Sequence, residues 1–165
     1  MRIRDLLMPR EMIPAVQDIN LERLKERGIK LIILDIDNTL VAPNEAKPHE
    51  SVVDWLNQLQ NEGFLVCIMT NNTAERAQQL EIDKGIHIVH LAHKPLKKNF
   101  REILKKFGVE ASEACMVGDQ LITDVLGANR MGIFSILVKR ISDAHSFHRR
   151  KLQDFEDTLI KGRNN

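Results

Sequence analysis

Two carboxylates stand at the end of a strongly apolar stretch, in the segment LIILDIDNTLV at residues 31–41. Four aliphatic residues lead directly into Asp35 and Asp37, and Thr39 follows two positions later. Ionised groups beside a buried segment are costly unless they are paired, hydrogen-bonded or bound to a metal ion. The pattern therefore predicts a functional use for these two acids.

Phosphoryl transfer is a chemistry that needs acids in this arrangement. Asp35 can attack a phosphorus atom once a divalent cation and a lysine neutralise the charge of the substrate. Mg²⁺ prefers carboxylate and water oxygens, so Asp35 and Asp119 would form a suitable pair of ligands. Asp37 is well spaced to protonate a leaving alkoxide and then to activate water.

A calcium-binding loop is the first alternative for DIDNTLVAPNEA. An EF-hand loop needs glycine at its sixth position and glutamate at its twelfth. Those positions hold Leu40 and Ala46, and the preceding segment has the pattern of a strand. We therefore reject this alternative.

The elements that carry these residues follow from hydrophobic patterning. Unbroken apolar runs, typical of strands covered on both faces, occupy residues 30–35, 64–70, 86–91, 114–119 and 133–138. Helical patterns at 48–63, 72–85, 95–108 and 121–132 fill the gaps between them. This alternation predicts an α/β fold, a Rossmann-like three-layer sandwich around a mostly parallel five-stranded sheet.

Several details of the helices are predicted as well. We expect a capping box from Asn72 to Glu75, a first helical residue at Pro95, and helix ends at the glycines Gly63, Gly85 and Gly108. The apolar side of the first helix holds Val52, Val53, Leu56 and Leu59, and Trp55 is expected to pack in the core. Residues 9–28 are predicted as one or two short helices with Asn20 as a cap, and residues 144–161 as a final helix carrying His148, Arg149, Arg150 and Lys151.

Polar residues collect where the predicted strands end. Asp35 and Asp37 follow the first run, Thr70 and Asn71 end the second, and Asp119 ends the fourth. Ligands of open parallel sheets bind beyond the carboxyl ends of the strands. These residues therefore predict one shared site.

At this point the chain resembles the phosphatases of the haloacid dehalogenase (HAD) superfamily. The signature Asp-x-Asp-x-Thr stands at 35–39, and a Thr that ends the next strand stands at Thr70. A lysine before a helix matches Lys94, and the Gly-Asp pair with a later acid matches Gly118, Asp119 and Asp124. The motifs occur in order and cover residues 30 to 138.

The resemblance implies a role for each matching residue. Asp35 would form a phospho-aspartyl intermediate, and Asp37 would serve as general acid and then base. Thr70 and the backbone N–H of Asn71 would hold phosphoryl oxygens, and Lys94 would balance their charge. Mg²⁺ would be bound by Asp35, Asp119 and the main-chain carbonyl of Asp37, with Asp124 orienting Lys94 or a metal-bound water.

Many members of this superfamily carry a cap domain over the site, and no large cap domain is expected here. Residues 40–69 and 71–93 are accounted for by single loops, helices and strands. An open cleft favours a bulky substrate, a substrate presented on a surface, or a homo-oligomer that covers the cleft.

Two longer segments, residues 18–41 and 117–133, look similar to the YqeG-type subfamily of this superfamily. The relatives of that subfamily include mitochondrial phosphatidylglycerophosphate phosphatases. The leading substrate candidate is therefore phosphatidylglycerophosphate, possessing a lipid-linked phosphate. Soluble sugar, nucleotide or protein phosphates are the alternative, because capless members with similar motifs act on all of these.

Composition sets the remaining bounds. The 165 residues, with a formal net charge of +1, predict a single domain over residues 1–165, with the catalytic core at residues 30–140 and no nucleic-acid partner. No signal peptide or membrane span is expected, so a cytoplasmic location is the prediction. Cys67 and Cys115 lie in apolar runs and are expected to be buried thiols.

Histidines and basic runs have simpler interpretations than metal or nucleic-acid sites. His87, His90 and His93 recur at a spacing that alternates faces on a strand, which disfavours a shared metal ion, although His93 lies beside Lys94. The basic runs 97–106 and 148–151 are typical of solvated helix faces, and they also suit contact with an anionic membrane.

A receiver-like phospho-aspartate switch is the rival from a non-enzyme class. Receivers carry adjacent acids after the first strand and the phosphorylated Asp after the third, whereas the third run here ends without an acid. A scaffold with a decayed site gains no support, since every catalytic position matches. Glycine-rich nucleotide-binding loops are also missing from the sequence.

Overall fold

The computed structural model describes residues 3–80 and 85–142. Its strands are β1 (Glu11–Ile13), β2 (Leu31–Leu34), β3 (Leu65–Met69), β4 (His87–Val89), β5 (Ala114–Gly118) and β6 (Phe134–Val138). All six strands are parallel and form one sheet in the order β1-β6-β5-β2-β3-β4.

Helices connect the strands. They are α1 (Ile3–Leu6), α2 (Leu21–Glu26), α3 (Glu50–Asn61), α4 (Ala74–Gln79), α5 (Lys97–Phe107) and α6 (Leu126–Met131). Two short 3-10 helices lie at Val16–Asp18 and Ala111–Glu113, and one π-helical turn, Leu121–Val125, leads into α6. The four predicted strand–helix alternations are therefore present.

Side chains of the central strands alternate between two apolar layers. Ile32 and Leu34 of β2 pack in the same core as Trp55 and Leu56 of α3. Leu31 and Ile33 pack on the other face with Phe100 and Ile103 of α5. The fold is thus a Rossmann-like three-layer α/β sandwich, as predicted, and the burial of both faces explains the unbroken apolar runs.

The sheet order places β2 between β5 and β3. Because all strands run the same way, the residues that follow these three strands meet at one edge of the sheet. Between Asp37 and Thr70 the chain forms one long helix and one strand, and residues 40–69 hold no cap domain. The prediction of no large cap domain is confirmed for residues 40–69.

The prediction of five strands is wrong by one. The one or two short helices predicted within residues 9–28 are present as the 3-10 helix Val16–Asp18 and the α-helix Leu21–Glu26, but Glu11–Ile13 forms the unpredicted edge strand β1. β1 pairs with β6, joining Glu11 to Ile136 and Ile13 to Val138. A three-residue segment is too short to show a periodicity, so its structure depends on a partner strand more than 120 residues away.

Three helix details also differ from the predictions. The N-cap of α4 is Thr73 rather than Asn72, and α5 begins at Lys97 rather than at Pro95. Val53 is 40% exposed, while Trp55 fills the buried side of α3. A one-sided apolar pattern includes neighbours at its margin, and packing decides which of them is covered.

Other local predictions are confirmed. The Asn20 side chain accepts a hydrogen bond from the Arg23 N–H and caps α2, and α5 ends at Gly108 in the left-handed conformation. Cys67 and Cys115 are buried free thiols. The predicted helix at 144–161 lies outside the described residues.

Candidate active site

Loops after β2, β3, β4 and β5 form a cavity of about 250 Å³ at the carboxyl edge of the sheet. It is lined by Asp35, Asp37, Thr70, Asn71, Asn72, Lys94, Gln120 and Thr123. Every predicted site residue lies in this lining or, for Asp119 and Asp124, within the acidic cluster that includes Asp35. The structure therefore brings the predicted residues together.

A tight turn orients the two acids after β2. The Asp35 N–H donates to the Val117 carbonyl of β5 at 3.0 Å, which extends the β2–β5 hydrogen bonding one residue past the end of β2. The N–H groups of Thr39 and Leu40 then donate back to the Ile36 carbonyl at 3.1 and 2.8 Å. Asn38 takes the left-handed conformation, with φ 65°, which asparagine tolerates better than most residues.

Lys94 binds two buried carboxylates. Its ammonium contacts Asp35 Oδ1 at 2.6 Å and Asp124 Oδ1 at 2.7 Å, and all three side chains are less than a tenth exposed. Burial acts to lower the pKa of Lys94, but Asp124 and Asp35 outweigh it and raise that pKa. Burial raises the pKa of Asp35 to about 6, although Lys94 acts against this. Two acids thus share one cation.

The side chain of Asn71 fixes the loop that carries Lys94. Its Oδ1 accepts from the Lys94 N–H at 2.7 Å, and its Nδ2 donates to the Lys94 carbonyl at 3.1 Å. The N–H groups of Leu91 and Ala92 donate to the carbonyls of Asn72 and Thr70, both at 2.9 Å. The sequence predicted a role only for the backbone N–H of Asn71, and it missed this clamp.

Asp119 supplies a buried carboxylate oxygen without a protein partner. Its Oδ2 accepts from Arg140 Nε at 3.0 Å, whereas its Oδ1 is shielded from solvent and has no hydrogen bond to the part of the chain that the structure describes. Burial, together with the carboxylates of Asp35 and Asp124, raises the pKa of Asp119 to about 8, against the effect of Arg140. A buried acceptor without a partner is costly unless a ligand satisfies it.

The same three acids fit a divalent cation. Asp35, Asp119 and Asp124 each offer a carboxylate oxygen, and these oxygens lie within 4.8 Å of one another. Within residues 3–80 and 85–142, these three carboxylates contact two cationic side chains, Lys94 and Arg140, which leaves one negative charge without a cationic partner there. Hard oxygen ligands with excess negative charge suit a hard divalent cation.

The carboxylate of Asp37 belongs to a different set of contacts. It is bound by Arg76 and by Asn72 Nδ2 and does not join the acidic cluster.

Five residues of the site were not predicted from the sequence: Asn72, Arg76, Arg140, Gln120 and Thr123. Asn72 adjoins Asn71 and lies four residues before Arg76, a spacing that places both on one side of a helix start. Arg140 has no such signal.

Gly118 makes room for Asp124. A Cβ atom on Gly118 would lie 2.3 Å from Asp124 Cγ, closer than atoms can approach. The carboxylate of Asp124 also accepts from the Gln120 N–H at 3.1 Å, within the π-helical turn. The glycine of this motif therefore allows the acid to reach Lys94.

The histidines do not share a metal ion in the part of the chain that the structure describes. The one group of three metal-ligating side chains found there is acidic, and the His87 ring instead packs edge-on to Phe107. His93 is exposed at the loop that carries Lys94.

Among the described helices, none has the length and apolar character to cross a lipid bilayer.

Comparison with known proteins agrees with this fold and site. The chain matches the model of the mitochondrial PGP phosphatase family over residues 1–141. It is 32% identical to "Probable phosphatase YqeG" of Bacillus subtilis over 158 residues, which cover 96% of this chain and 92% of that protein.

Two further similarities are more distant. Phosphatidylglycerophosphate phosphatase 1 of Arabidopsis thaliana is 27% identical over 96% of this chain, which spans 48% of that protein. The cobalt-bound deoxy-D-mannose-octulosonate 8-phosphate phosphatase of Haemophilus influenzae has a TM-score of 0.56 at 14% identity, over 83% of this chain and 90% of that one. The latter supports the fold alone.

The parallel sheet, the acids after β2, the matching family model and the Bacillus subtilis relative together define a phosphatase of the HAD superfamily. Within that class, the chain belongs to the mitochondrial PGP phosphatase family. The receiver-like alternative is therefore wrong.

Proposed function

We propose that this phosphatase hydrolyses phosphate monoesters through a phospho-aspartyl intermediate on Asp35, with Mg²⁺ as its cofactor. The observation that carries the proposal is the cavity that Asp35 shares with Asp37, Thr70 and Lys94. A nucleophile, an acid and two groups that can bind phosphate thus surround one space. That combination is what phosphoryl transfer through an enzyme carboxylate requires.

Thr70 and Lys94 are suited to hold the phosphoryl group. The Thr70 hydroxyl oxygen accepts from the Asn72 N–H at 3.0 Å, so its own hydrogen remains to donate to a phosphoryl oxygen. The Asn71 N–H would donate to a second oxygen. The Lys94 ammonium, held by Asp35 and Asp124, would balance negative charge on the phosphoryl group.

Two displacements complete the reaction. A carboxylate oxygen of Asp35 forms a bond to phosphorus, the bond from phosphorus to the leaving oxygen breaks, and that oxygen takes a proton from Asp37. Water then attacks the phosphoryl group, Asp37 takes the proton from that water, and the bond from phosphorus to Asp35 breaks. Inorganic phosphate leaves, and both acids return to their initial states.

Asp35 and Asp119, with the main-chain carbonyl of Asp37, would hold Mg²⁺. The partnerless Oδ1 of Asp119 and the leftover negative charge support this set. The ion would neutralise charge on the phosphoryl oxygens as a Lewis acid. Asp124 would support the site through Lys94, whose ammonium it binds at 2.7 Å.

The leading substrate is phosphatidylglycerophosphate. The family model and the Arabidopsis relative carry this substrate in their names, and residues 40–69 add no cap over the cavity. An open site suits a phosphate that is presented at a surface. Soluble sugar, nucleotide or protein phosphates are the alternative.

The rim of the cavity supports contact with an anionic membrane. Leu91 and Leu96 flank Lys94 along the chain and are 49% and 57% exposed. Residues 86–101 contain Lys97, Lys98 and Arg101 but no acid. Exposed leucines beside cationic side chains match a bilayer that carries anionic lipids. We therefore propose that the protein binds such a surface. The cytoplasmic location and a homo-oligomer that covers the cleft stay predictions.

The test is phosphate release with Mg²⁺ across a substrate panel. The panel comprises phosphatidylglycerophosphate in mixed micelles, sugar phosphates, nucleotides, phosphopeptides and an aryl phosphate. Asp35→Asn should lower turnover by at least about 10³-fold, since enzymes of this kind accelerate reactions by roughly 10⁶-fold or more. Asp54→Asn, an exposed acid on α3, is the matched control and should leave turnover unchanged.

The outcomes separate mechanism from substrate. Lipid turnover well above all other rates, lost in Asp35→Asn, supports both. Activity on soluble phosphates alone keeps the mechanism and contradicts the lipid substrate. Full activity in Asp35→Asn contradicts the mechanism.

A further inference from the structure

Arg76 binds the proposed general acid directly. Its Nε and Nη2 contact Asp37 Oδ1 at 3.0 and 2.9 Å. The remaining contacts of the guanidinium go to the main chain: Nη1 donates to the Glu45 carbonyl at 2.6 Å, and Nη2 to the Ala42 carbonyl at 3.1 Å. The side chains of Arg76 and Asp37 are 12% and 16% exposed.

This arrangement differs from an ordinary surface ion pair. A flexible pair in solvent loses its geometry easily and contributes little. Here the planar guanidinium is fixed by two backbone carbonyls that belong to the loop after β2. Arg76 therefore keeps its position whether or not Asp37 carries a proton, and it joins α4 to the loop that borders the cavity.

We infer that Arg76 is a positioning residue for Asp37, one that selects which carboxylate oxygen transfers the proton. The inference rests on the proposed function, in which Asp37 acts as acid and then as base. Arg76 Nε donates to Oδ1, and Nη2 lies 2.9 Å from the same oxygen, which leaves Oδ2 as the oxygen that would transfer the proton. The neighbour of Oδ2 is Asn72 Nδ2, at 3.0 Å, and Asn72 lines the cavity.

The proton path follows from this geometry. As the bond from phosphorus to the leaving oxygen breaks, Oδ2–H of Asp37 gives its proton to that oxygen. In the second displacement, Oδ2 takes a proton from the water that attacks phosphorus. Arg76 keeps its hydrogen bond to Oδ1 in both steps, so the same oxygen, Oδ2, would give and then take the proton.

A leaving-group comparison tests this role. An alkoxide is a poor leaving group that needs the proton of Asp37, whereas a nitrophenolate departs without one. Misplacing an acid by about 1 Å costs roughly 10²-fold in rate. Arg76→Ala should therefore lower kcat for glycerol phosphate by about 10²-fold and kcat for p-nitrophenyl phosphate by less than about 3-fold. KM should stay unchanged for both, because Arg76 does not touch the phosphoryl group.

Two further variants sharpen the test. Arg76→Lys keeps the charge but not the planar fork, so it should recover only part of the alkyl activity, and added guanidinium ion should partly restore Arg76→Ala. Arg23→Ala is the matched control. Arg23 lies in α2, does not line the cavity, and forms an ion pair with Glu11 of β1 at 3.2 Å. Circular dichroism checks that each variant is folded.

The outcomes distinguish this inference from the proposed function. Equal losses on both substrates, or no loss on glycerol phosphate, overturn the positioning role. Asp37→Asn, measured beside the arginine variants, should abolish alkyl turnover. If it does not, the proposed acid role of Asp37 fails; if it does while Arg76→Ala stays fully active, only the inference about Arg76 fails.

Discussion

At the scale of single residues, the buried carboxylates of the site outnumber the cationic side chains that contact them. Asp35, Asp119 and Asp124 share Lys94 and Arg140, and one carboxylate oxygen of Asp119 has no hydrogen-bond partner among the described residues. Burial raises the pKa of Asp119 to about 8 and that of Asp35 to about 6. In the absence of a divalent cation, protons take the place of the missing positive charge.

The stability of the metal-free protein should therefore fall as pH rises. The folded protein holds a proton on Asp119 above pH 4, where the unfolded chain has released it. Because the unfolded state then binds fewer protons, the free energy of unfolding decreases as pH rises from the ordinary value of 3.8 through about 8. Thermal unfolding in a chelator, followed from about pH 5 to about pH 9, measures this slope.

Asp119→Asn and added Mg²⁺ supply the controls for that slope. The amide cannot titrate, so the variant should lose the part of the slope that belongs to this residue. Mg²⁺ binds the ionised carboxylate, so it should stabilise the wild type more at about pH 8 than at about pH 6 and stabilise the variant little. A wild type whose unfolding temperature rises over this range in the chelator contradicts the charge account.

At the scale of elements, the site depends on how closely β5 and the following π-helical turn approach each other. Gly118 ends β5, and Asp124 lies in the turn Leu121–Val125 with its carboxylate against the glycine. π-helical turns often occur at functional sites. Here the turn directs the Asp124 side chain towards Lys94.

Gly118→Ala should displace Asp124 and lower activity. The new Cβ would lie 2.3 Å from Asp124 Cγ, so the carboxylate must leave Lys94. We expect turnover to fall by at least about 10-fold and the free energy of unfolding to fall by about 1–3 kcal/mol. Enzyme assays and denaturant titration measure these changes.

Gly85→Ala is the matched control for that substitution. A Cβ there would lie 3.9 Å from Gln60 Nε2, an ordinary contact. The control should therefore keep its activity. A fully active Gly118→Ala protein would show that Asp124 does not need its present position.

At the scale of the whole molecule, the proposed catalytic residues and the candidate membrane surface both follow the carboxyl ends of the parallel strands. The loop after β4 carries Leu91, Lys94 and Leu96, so the exposed leucines lie three and two positions along the chain from the lysine that lines the cavity. A phosphate at a bilayer surface would then reach the site without leaving the membrane.

Vesicle binding tests this surface. Wild type should bind vesicles rich in anionic lipid more tightly than neutral ones, since each basic residue near the surface contributes about 1 kcal/mol. The double variant Leu91→Ser, Leu96→Ser should bind at least about 10-fold more weakly, because burying one leucine is worth about 1.5–3 kcal/mol. Flotation with phosphate release on lipid and on soluble substrates measures both effects.

Leu65→Ser is the control for the leucine pair. Leu65 is 41% exposed but begins β3, at the opposite edge of the sheet. Equal binding to anionic and neutral vesicles, or an equal loss from the control, would contradict the membrane surface.

The sequence by itself determined the strands that are buried on both faces and the acids that follow them. Unbroken apolar runs predict β2, β3, β5 and β6 because interior parallel strands need apolar side chains on both faces, and a similar run predicts the partly buried edge strand β4. Asp35, Thr70 and Asp119 could be grouped because parallel strands end at one edge. The cap at Asn20 and the helix end at Gly108 are local, so their residue types suffice.

Only the tertiary structure decided the contacts that join distant parts of the chain. β1 depends on pairing with β6, Arg140 reaches Asp119, and Arg76 reaches Asp37 across 39 positions. A three-residue strand and a lone arginine carry no periodicity, and their energies depend on which partner the fold brings near. The sequence thus shows which residues can react, whereas the tertiary packing decides which side chains hold those residues in place.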